Sequence, residues 1–167
     1  NVVKLFMGPE THCRSAQFNL FDEHLRYFDR YLKGVDNGIE REPAITYYTY
    51  NAPSGREWAV SDTWPVAGMV KQRWYLQPSA RGHALQRQAP RAGQARFTVD
   101  YSVITGSLAT PFWPASQHGH GLSFETPPMA EDMRITGHPV VSLWISSTAR
   151  DGDTFAYLEE VAPDGRS

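Results

Sequence analysis

The chain has 167 residues, of which 41% are hydrophobic and 13% aromatic, so it can bury a core and has the size of one domain or slightly more. It carries 16 basic and 18 acidic residues, and the basic residues do not form a stripe that could follow a phosphate backbone. Nucleic acid is therefore not expected as a partner. No apolar stretch reaches the roughly 20 residues of a membrane helix, so we expect no membrane partner either.

The first predicted element is a short buried strand. The apolar run 2–7 stops at Gly8 and Pro9, and His12 follows in a polar turn. In open α/β proteins, loops at the ends of buried strands carry reactive groups. His12 is therefore a candidate catalytic base, and a surface or capping histidine is the simpler alternative.

An amphipathic helix follows the polar turn. Its apolar residues recur at spacings of four, three and four: Phe21, Leu25, Phe28 and Leu32. Asn19 or Asp22 can cap its first turn, and Lys33 and Gly34 stand where a helix normally ends. The apolar stripe predicts packing against a sheet, so 1–33 has the order strand, loop, helix of a final α/β unit.

Beyond residue 38 the hydrophobic period falls to two, which is typical of strands. The predicted strands are 44–50, 70–76, 95–104, 122–125, 133–135, 140–147 and 154–161, and 81–94 is the most loop-like stretch. Half-buried alternation between such loops favours an antiparallel sandwich or jelly roll. The predicted fold is mainly β: a jelly-roll sandwich over 39–167, preceded by an α/β remnant over 1–38.

The two chain ends predict an incomplete protein. The sequence opens inside the first predicted strand and closes at a turn signal, 163–167, with no second strand after it. A sandwich that lacks strands leaves exposed edges, which pair readily with another chain. We expect this segment to need the rest of its protein for full stability, with a homo-oligomer as an open alternative.

Acyl transfer would give His12 a defined role, because a triad histidine accepts the proton of a nucleophile and is oriented by a carboxylate. In α/β hydrolases the serine lies in a Gly-x-Ser-x-Gly turn, and the chain order is serine, acid, histidine. No Gly-x-Ser-x-Gly occurs in this sequence. If His12 is the last triad member, the other two precede Asn1.

Cys13, the only cysteine, offers an alternative nucleophile beside His12. Adjacent residues usually point their side chains apart, so a small residue packed behind the loop is the better interpretation. A single cysteine also excludes a disulfide framework and a cysteine-based zinc site within this chain. The compartment stays undecided.

Two patterns could bind metal ions, although neither is specific. His118 and His120 could bind one metal with His83 or Asp132, but their glycine-rich surroundings are those of an ordinary loop. A second, acidic group lacks the spacing of an EF-hand: Asp151, Asp153, Glu159 and Glu160. We expect no metal site and no organic cofactor.

The five tryptophans supply the alternative from another functional class. They are Trp58, Trp64, Trp74, Trp113 and Trp144. Some of them could form a stacking platform in a non-catalytic β-sandwich that binds carbohydrate or a protein partner, whereas most tryptophans in a sandwich belong to the core.

Several segments, in the correct order, resemble motifs of one family. Residues 5–12, Leu-Phe-Met-Gly-Pro-Glu-Thr-His, resemble the last strand and catalytic-histidine loop of the cocaine esterase and X-Pro dipeptidyl-peptidase (CocE/NonD) serine hydrolases. Residues 28–34, Phe-Asp-Arg-Tyr-Leu-Lys-Gly, are similar to that family's closing helix. The tryptophan-rich segment 58–65 and the segments 146–149, 151–155 and 161–166 are similar to its C-terminal jelly roll.

The resemblance implies a serine hydrolase that cleaves ester or amide bonds, X-Pro dipeptidyl bonds included, through an acyl-enzyme with His12 as general base. Its partners would be a small-molecule ester or peptide substrate and the missing N-terminal α/β-hydrolase region, which would supply the nucleophile and the acid. This chain alone would be inactive. Glu10 departs from the family, which usually has an aromatic residue there, and Cys13 replaces a common Gly or Ser.

Overall fold

A computed structural model describes residues 3–9, 18–80, 82–100 and 121–165, which divide between two compact units. The first unit comprises Asn1–Val70 and Ile135–Pro139, and the second comprises Lys71–Arg134 and Val140–Ser167. Across the described ranges the regular structure consists of small β-sheets with little helix, which is consistent with a β-sandwich-like domain. The prediction of a mainly β fold is confirmed at this level. Among these residues no helix is both long and apolar enough to cross a membrane.

Helix α1 spans Leu20–Lys33, as the apolar spacing predicted. Its first turn is capped by Asn19, whose side chain accepts a hydrogen bond of 3.3 Å from the Asp22 amide. It ends at Gly34, which has a left-handed φ of 74° and donates its N–H to the Arg30 carbonyl at 3.1 Å. Both predicted ends of the helix are confirmed.

The sheet of the first unit contains three strands, β1 (Leu5–Met7), β2 (Ile45–Tyr48) and β3 (Trp58–Ser61). β2 lies in the centre, parallel to β1 and antiparallel to β3. Parallel neighbours require a crossover connection, and α1 lies within it. β1 precedes residue 38 and β2 follows it. Their pairing therefore joins the two segments into which the sequence analysis divides the chain.

The core of the first unit is small. Its buried hydrophobic side chains among the described residues are Ile39, Ile45 and Tyr47, of which Ile39 is only 1% exposed. Ile39 opens a 3₁₀ turn, Ile39–Arg41, that contacts α1. The apolar stripe of α1 is exposed instead, with Phe21 at 73% and Leu32 at 77%. The amphipathic pattern identified the apolar face of α1. The expected packing of this face against a sheet is not observed among the described residues.

The sheet of the second unit has three strands among the described residues, β4 (Tyr75–Gln77), β5 (His83–Gln86) and β6 (Phe124–Glu125). β5 is antiparallel to β4 and parallel to β6. It lies inside 81–94, so the prediction of a loop there was wrong. β4 begins at the end of the predicted strand 70–76, and β6 is shorter than the predicted 122–125.

Several predicted strands do not form in the structure. Segments 133–135, 140–147 and 154–161 are extended or irregular without ladder pairing, as is 95–100, the described part of the predicted strand 95–104. A strand exists through its hydrogen-bonded neighbours, and alternation along one segment does not provide them. β3 was not predicted, because its alternating segment is short and a tryptophan-proline turn follows soon after it.

Candidate functional site

His12 and Cys13 lie in 10–17, outside the described residues, and so do His118, His120 and Trp113, which fall in 101–120. The structure does describe both flanks of the segment that carries His12. Pro9 precedes this segment directly after β1, and Phe18 follows it directly before α1. The described part of the candidate site therefore consists of the residues that hold these flanks.

The upstream flank lies at the carboxyl edge of the parallel pair. Met7 of β1 is in register with Tyr47 of β2, so the chain leaves both strands at the same edge of the sheet. Pro9 and Tyr50 follow these two strand ends. The Tyr50 hydroxyl donates a hydrogen bond to the Pro9 carbonyl oxygen. This contact connects residues that are 41 positions apart.

The downstream flank is held by aromatic packing. The Phe18 ring stacks on Phe6 of β1 at 5.4 Å between centroids, and it meets Trp58 of β3 edge-on at 5.5 Å. Gly8 allows this approach, because a Cβ there would lie 3.0 Å from the Phe18 ring. Such aromatic pairs contribute about 0.5–1.5 kcal/mol each beyond their buried area.

Tyr48 links the two flanks across β2. Its ring lies 5.2 Å from that of Trp58 and 5.6 Å from that of Tyr50, edge-on in both cases. Together these side chains form one continuous group, which we call the aromatic frame: Phe6, Phe18, Tyr48, Tyr50 and Trp58. Sequence analysis did not identify Tyr50 or Phe18. The signal that could have identified Tyr50 is its position just after β2, which matches the position of Pro9 just after β1.

Ion pairs fix α1 to the segment that follows it. Arg26 pairs with Glu42 and, at 3.0 Å, with Glu23 of its own helix, and Arg30 pairs with Glu40. The hydrogen bond with Glu42 raises the pKa of Arg26. The pKa of Glu40 is lowered, first by a hydrogen bond from its own backbone amide and then by Arg30. These groups are all paired with one another, which indicates a structural role.

Two of the described residues considered for metal binding, His83 and Asp151, make other contacts. His83 accepts a hydrogen bond of 3.1 Å from the Ser79 amide at Nδ1 and stacks on Phe124 at 4.9 Å. Asp151 accepts one of 2.8 Å from the Gly152 amide, while Asp132 is exposed. Within the described ranges, no group of three or more His, Cys, Asp or Glu side chains could hold a metal ion.

The described tryptophans differ in environment. Trp58 belongs to the aromatic frame, and Trp64 packs edge-on against Tyr47 at 5.7 Å. Trp74 lies beneath the Arg87 guanidinium, which is 5.2 Å from the ring centre. Trp144 is fully exposed, at 104%.

The comparisons with known proteins agree with the sequence motifs. The family described as X-Pro dipeptidyl-peptidase C-terminal non-catalytic domain matches residues 37–167. A Mycobacterium bovis protein that bears a serine esterase name is 34% identical over 190 residues, which cover 97% of this chain and 29% of that protein. The chain therefore spans less than a third of this relative's length.

Two further relatives carry related names. A Streptomyces avermitilis protein with a Xaa-Pro dipeptidyl-peptidase name is 28% identical over 142 residues, which cover 83% of this chain and 20% of that protein. The cocaine esterase of a Rhodococcus species is 23% identical over 163 residues, or 86% of this chain and 28% of the esterase. No solved structure matches the chain significantly.

The family match covers most of the chain, and the relatives bear the names of esterases and a peptidase, so the predicted resemblance is confirmed. The chain belongs to the family of the X-Pro dipeptidyl-peptidase C-terminal domain, the carboxyl-side part of cocaine esterase type (CocE/NonD) proteins.

Proposed function

We propose that the intact protein containing this chain is a serine hydrolase that cleaves ester or amide bonds, with His12 as its general base. The observation that carries the proposal is the parallel pairing of β1 with β2, after which the chain continues towards His12 from the carboxyl edge of the sheet. Reactive groups of open α/β proteins are found at this edge. The esterase and peptidase names of the relatives support the same reaction class.

The proposed chemistry needs two proton transfers by His12 in each of two half-reactions. In the first, its imidazole takes the proton of a serine hydroxyl while the serine oxygen attacks the substrate carbonyl carbon, and it then gives that proton to the departing oxygen or nitrogen. In the second, His12 takes a proton from the water that attacks the acyl-enzyme and gives it to the serine oxygen as the carboxylic acid product leaves. Each step uses side chains only, so the proposal requires neither a metal nor an organic cofactor.

The nucleophile and the acid belong, in this proposal, to another part of the protein. No Gly-x-Ser-x-Gly turn occurs in the 167 residues. We propose that 1–38 is the end of an α/β-hydrolase domain that contains these two residues and that 39–167 is part of a jelly roll. The succession of β1 and α1 supports the first assignment, since strand–helix units are typical of α/β folds, and the pairing of β1 with β2 continues this sheet across residue 38. The substrate would be a small ester or a peptide, X-Pro dipeptides included.

A fluorophosphonate, which labels activated serines, tests the proposal on the intact protein. We expect rapid stoichiometric labelling of the wild type and labelling slower by orders of magnitude in His12→Ala, because the serine then lacks its base. His24→Ala is the matched control, since His24 is an exposed histidine on α1. An unlabelled wild type, or equal labelling rates in all three proteins, would contradict the proposal.

A second candidate is a non-catalytic module that binds carbohydrate or a protein partner. Two observations favour it: Trp144 is fully exposed, and the family that matches 37–167 is described as non-catalytic. Under this alternative, Trp144→Ala would abolish retention on immobilised polysaccharide, and the intact protein would not react with a fluorophosphonate.

A further inference from the structure

Both flanks of the segment that carries His12 are held by aromatic residues that lie in one sheet or directly after one of its strands. The Tyr50 hydroxyl binds the Pro9 carbonyl on one side, and the Phe18 ring lies against Phe6 and Trp58 on the other. These two contacts differ in kind, because the first depends on a single hydroxyl and the second on apolar packing. A single-atom change can therefore release the upstream flank alone.

We propose that Tyr50 is a positioning residue for His12: by holding the Pro9 carbonyl, its hydroxyl fixes the direction in which the chain leaves β1 towards the base. This inference rests on the proposed function, because it assigns a role within that reaction. Tyr50 acts through the main chain and is not itself a catalytic residue.

The chemistry of proline makes its carbonyl an effective anchor. Pro9 has no N–H, and its ring fixes φ, so the carbonyl is its main-chain hydrogen-bonding group and sets the plane of the next peptide. His12 lies three residues further along the chain. Even a fully extended chain places it no more than roughly 11 Å from Pro9. A rotation of the anchored peptide therefore changes the direction in which the chain leaves Pro9.

The exposure of Tyr50 argues against a mainly structural role. Its side chain is 64% exposed, so the ring buries little apolar surface. Removing its hydroxyl should therefore leave the stability of the sheet nearly unchanged. A base must stand within hydrogen-bond reach of its nucleophile, and a misplacement of about 1 Å can cost roughly 100-fold in rate. Activity is thus much more sensitive to this contact than stability is.

The test is Tyr50→Phe in the intact protein, with p-nitrophenyl acetate as the ester probe and fluorophosphonate labelling to completion as the count of active serines. We expect kcat per labelled serine to fall about tenfold, with KM and the unfolding midpoint unchanged. Tyr75→Phe is the matched control. It removes a tyrosine hydroxyl from β4 in the second unit, outside the aromatic frame, and it should leave kcat unchanged.

Each alternative outcome overturns a different statement. If His12→Ala is inactive and Tyr50→Phe keeps the wild-type kcat, the positioning role is wrong while the proposed function stands. A lower unfolding midpoint with unchanged kcat per labelled serine makes Tyr50 a structural residue, and a raised KM at constant kcat makes it a substrate-binding residue. If His12→Ala is fully active, the proposed function itself fails.

Discussion

The indole Nε1 of Trp64 donates a hydrogen bond of 3.1 Å to Nε2 of His138, although the two residues lie 74 positions apart in the chain. Their rings also meet edge-on, at 6.0 Å between centroids. Since Nε2 accepts, the proton of the neutral imidazole lies on Nδ1. This contact fastens the short segment Ile135–Pro139 to the first unit, to which that segment belongs.

A double-mutant cycle should detect this contact as an energetic coupling. We expect Trp64→Phe and His138→Ala to be non-additive by about 0.5–1.5 kcal/mol in the free energy of unfolding, because each change removes the same hydrogen bond. Denaturant titration of the four proteins measures it. Trp58→Phe combined with His138→Ala is the control and should be additive, since Trp58 packs on Phe18 and Tyr48 instead. Additivity in both cycles would show that the Trp64–His138 bond contributes nothing.

Glu40 should make the attachment of α1 sensitive to acid. Its pKa is lowered, chiefly by its own backbone amide and also by Arg30, so the folded state binds its proton less readily than the unfolded chain. The stabilisation is therefore complete above the ordinary glutamate pKa and is lost as the pH falls through the lowered value. Glu40→Gln should unfold more easily than the wild type at pH 7, and the difference should shrink as the pH falls below the ordinary glutamate pKa and through the lowered one.

Unfolding titrations at several pH values measure this difference. Glu131→Gln serves as the control, because Glu131 is exposed and lies outside the ion pairs of α1. Its unfolding free energy should follow the wild-type pH dependence throughout. An offset between wild type and Glu40→Gln that stays constant at every pH at which both proteins fold would rule out the linkage.

Replacement of Gly34 at the end of α1 should be costly. It adopts a φ of 74°, where a Cβ crowds the neighbouring carbonyl, so Gly34→Ala should destabilise the protein by about 1 kcal/mol. Gly152→Ala is a matched control, because nothing lies within 4 Å of its added Cβ and its φ is not left-handed. Equal unfolding midpoints for the two variants would argue against a strained cap.

Gly8 and Phe18 should be coupled. A Cβ at position 8 would lie 3.0 Å from the Phe18 ring, which would have to move away from Phe6 and Trp58. Gly8→Ala should therefore destabilise the protein by about 1–3 kcal/mol, and much less in a Phe18→Leu background, where the smaller side chain leaves room. Chemical denaturation of the single and double variants provides the comparison. Equal costs in both backgrounds would mean that Phe18 does not limit position 8.

Helix α1 could be predicted closely, with Asn19 or Asp22 as its cap, because its determinants are local. The apolar spacing, the Asn19 cap and the Gly34 terminus all lie within a few residues of one another. The covering of its apolar stripe could not be predicted, since that depends on whatever surface packs against it. The stripe is exposed in the structure, as Phe21 and Leu32 show.

Strands were harder to predict because their partners are remote in sequence. β2 was predicted almost correctly, since Ile45 and Tyr47 alternate with half-buried neighbours. β5 begins at His83 in a polar, glycine-containing stretch, and its neighbour β6 lies 41 residues further along, at Phe124. Local composition contains no signal for such a pairing.

The same distinction between local and remote determinants applies to the candidate site. His12 was predicted as the base from its place after a strand and from the family motif around it, both of which are local features. The contact of Tyr50 with Pro9, by contrast, depends on the parallel pairing of β1 and β2. That pairing brings residues on either side of α1 to one sheet edge.

The central claim is that His12 is the general base of a serine hydrolase. The most direct measurement is the kcat/KM of the intact protein for an ester, compared among wild type, His12→Ala and the surface control His24→Ala. Loss of the base should lower kcat/KM by about 10⁴-fold or more, because triad members act as a unit, while the control keeps wild-type turnover. Near-normal turnover by His12→Ala would contradict the claim.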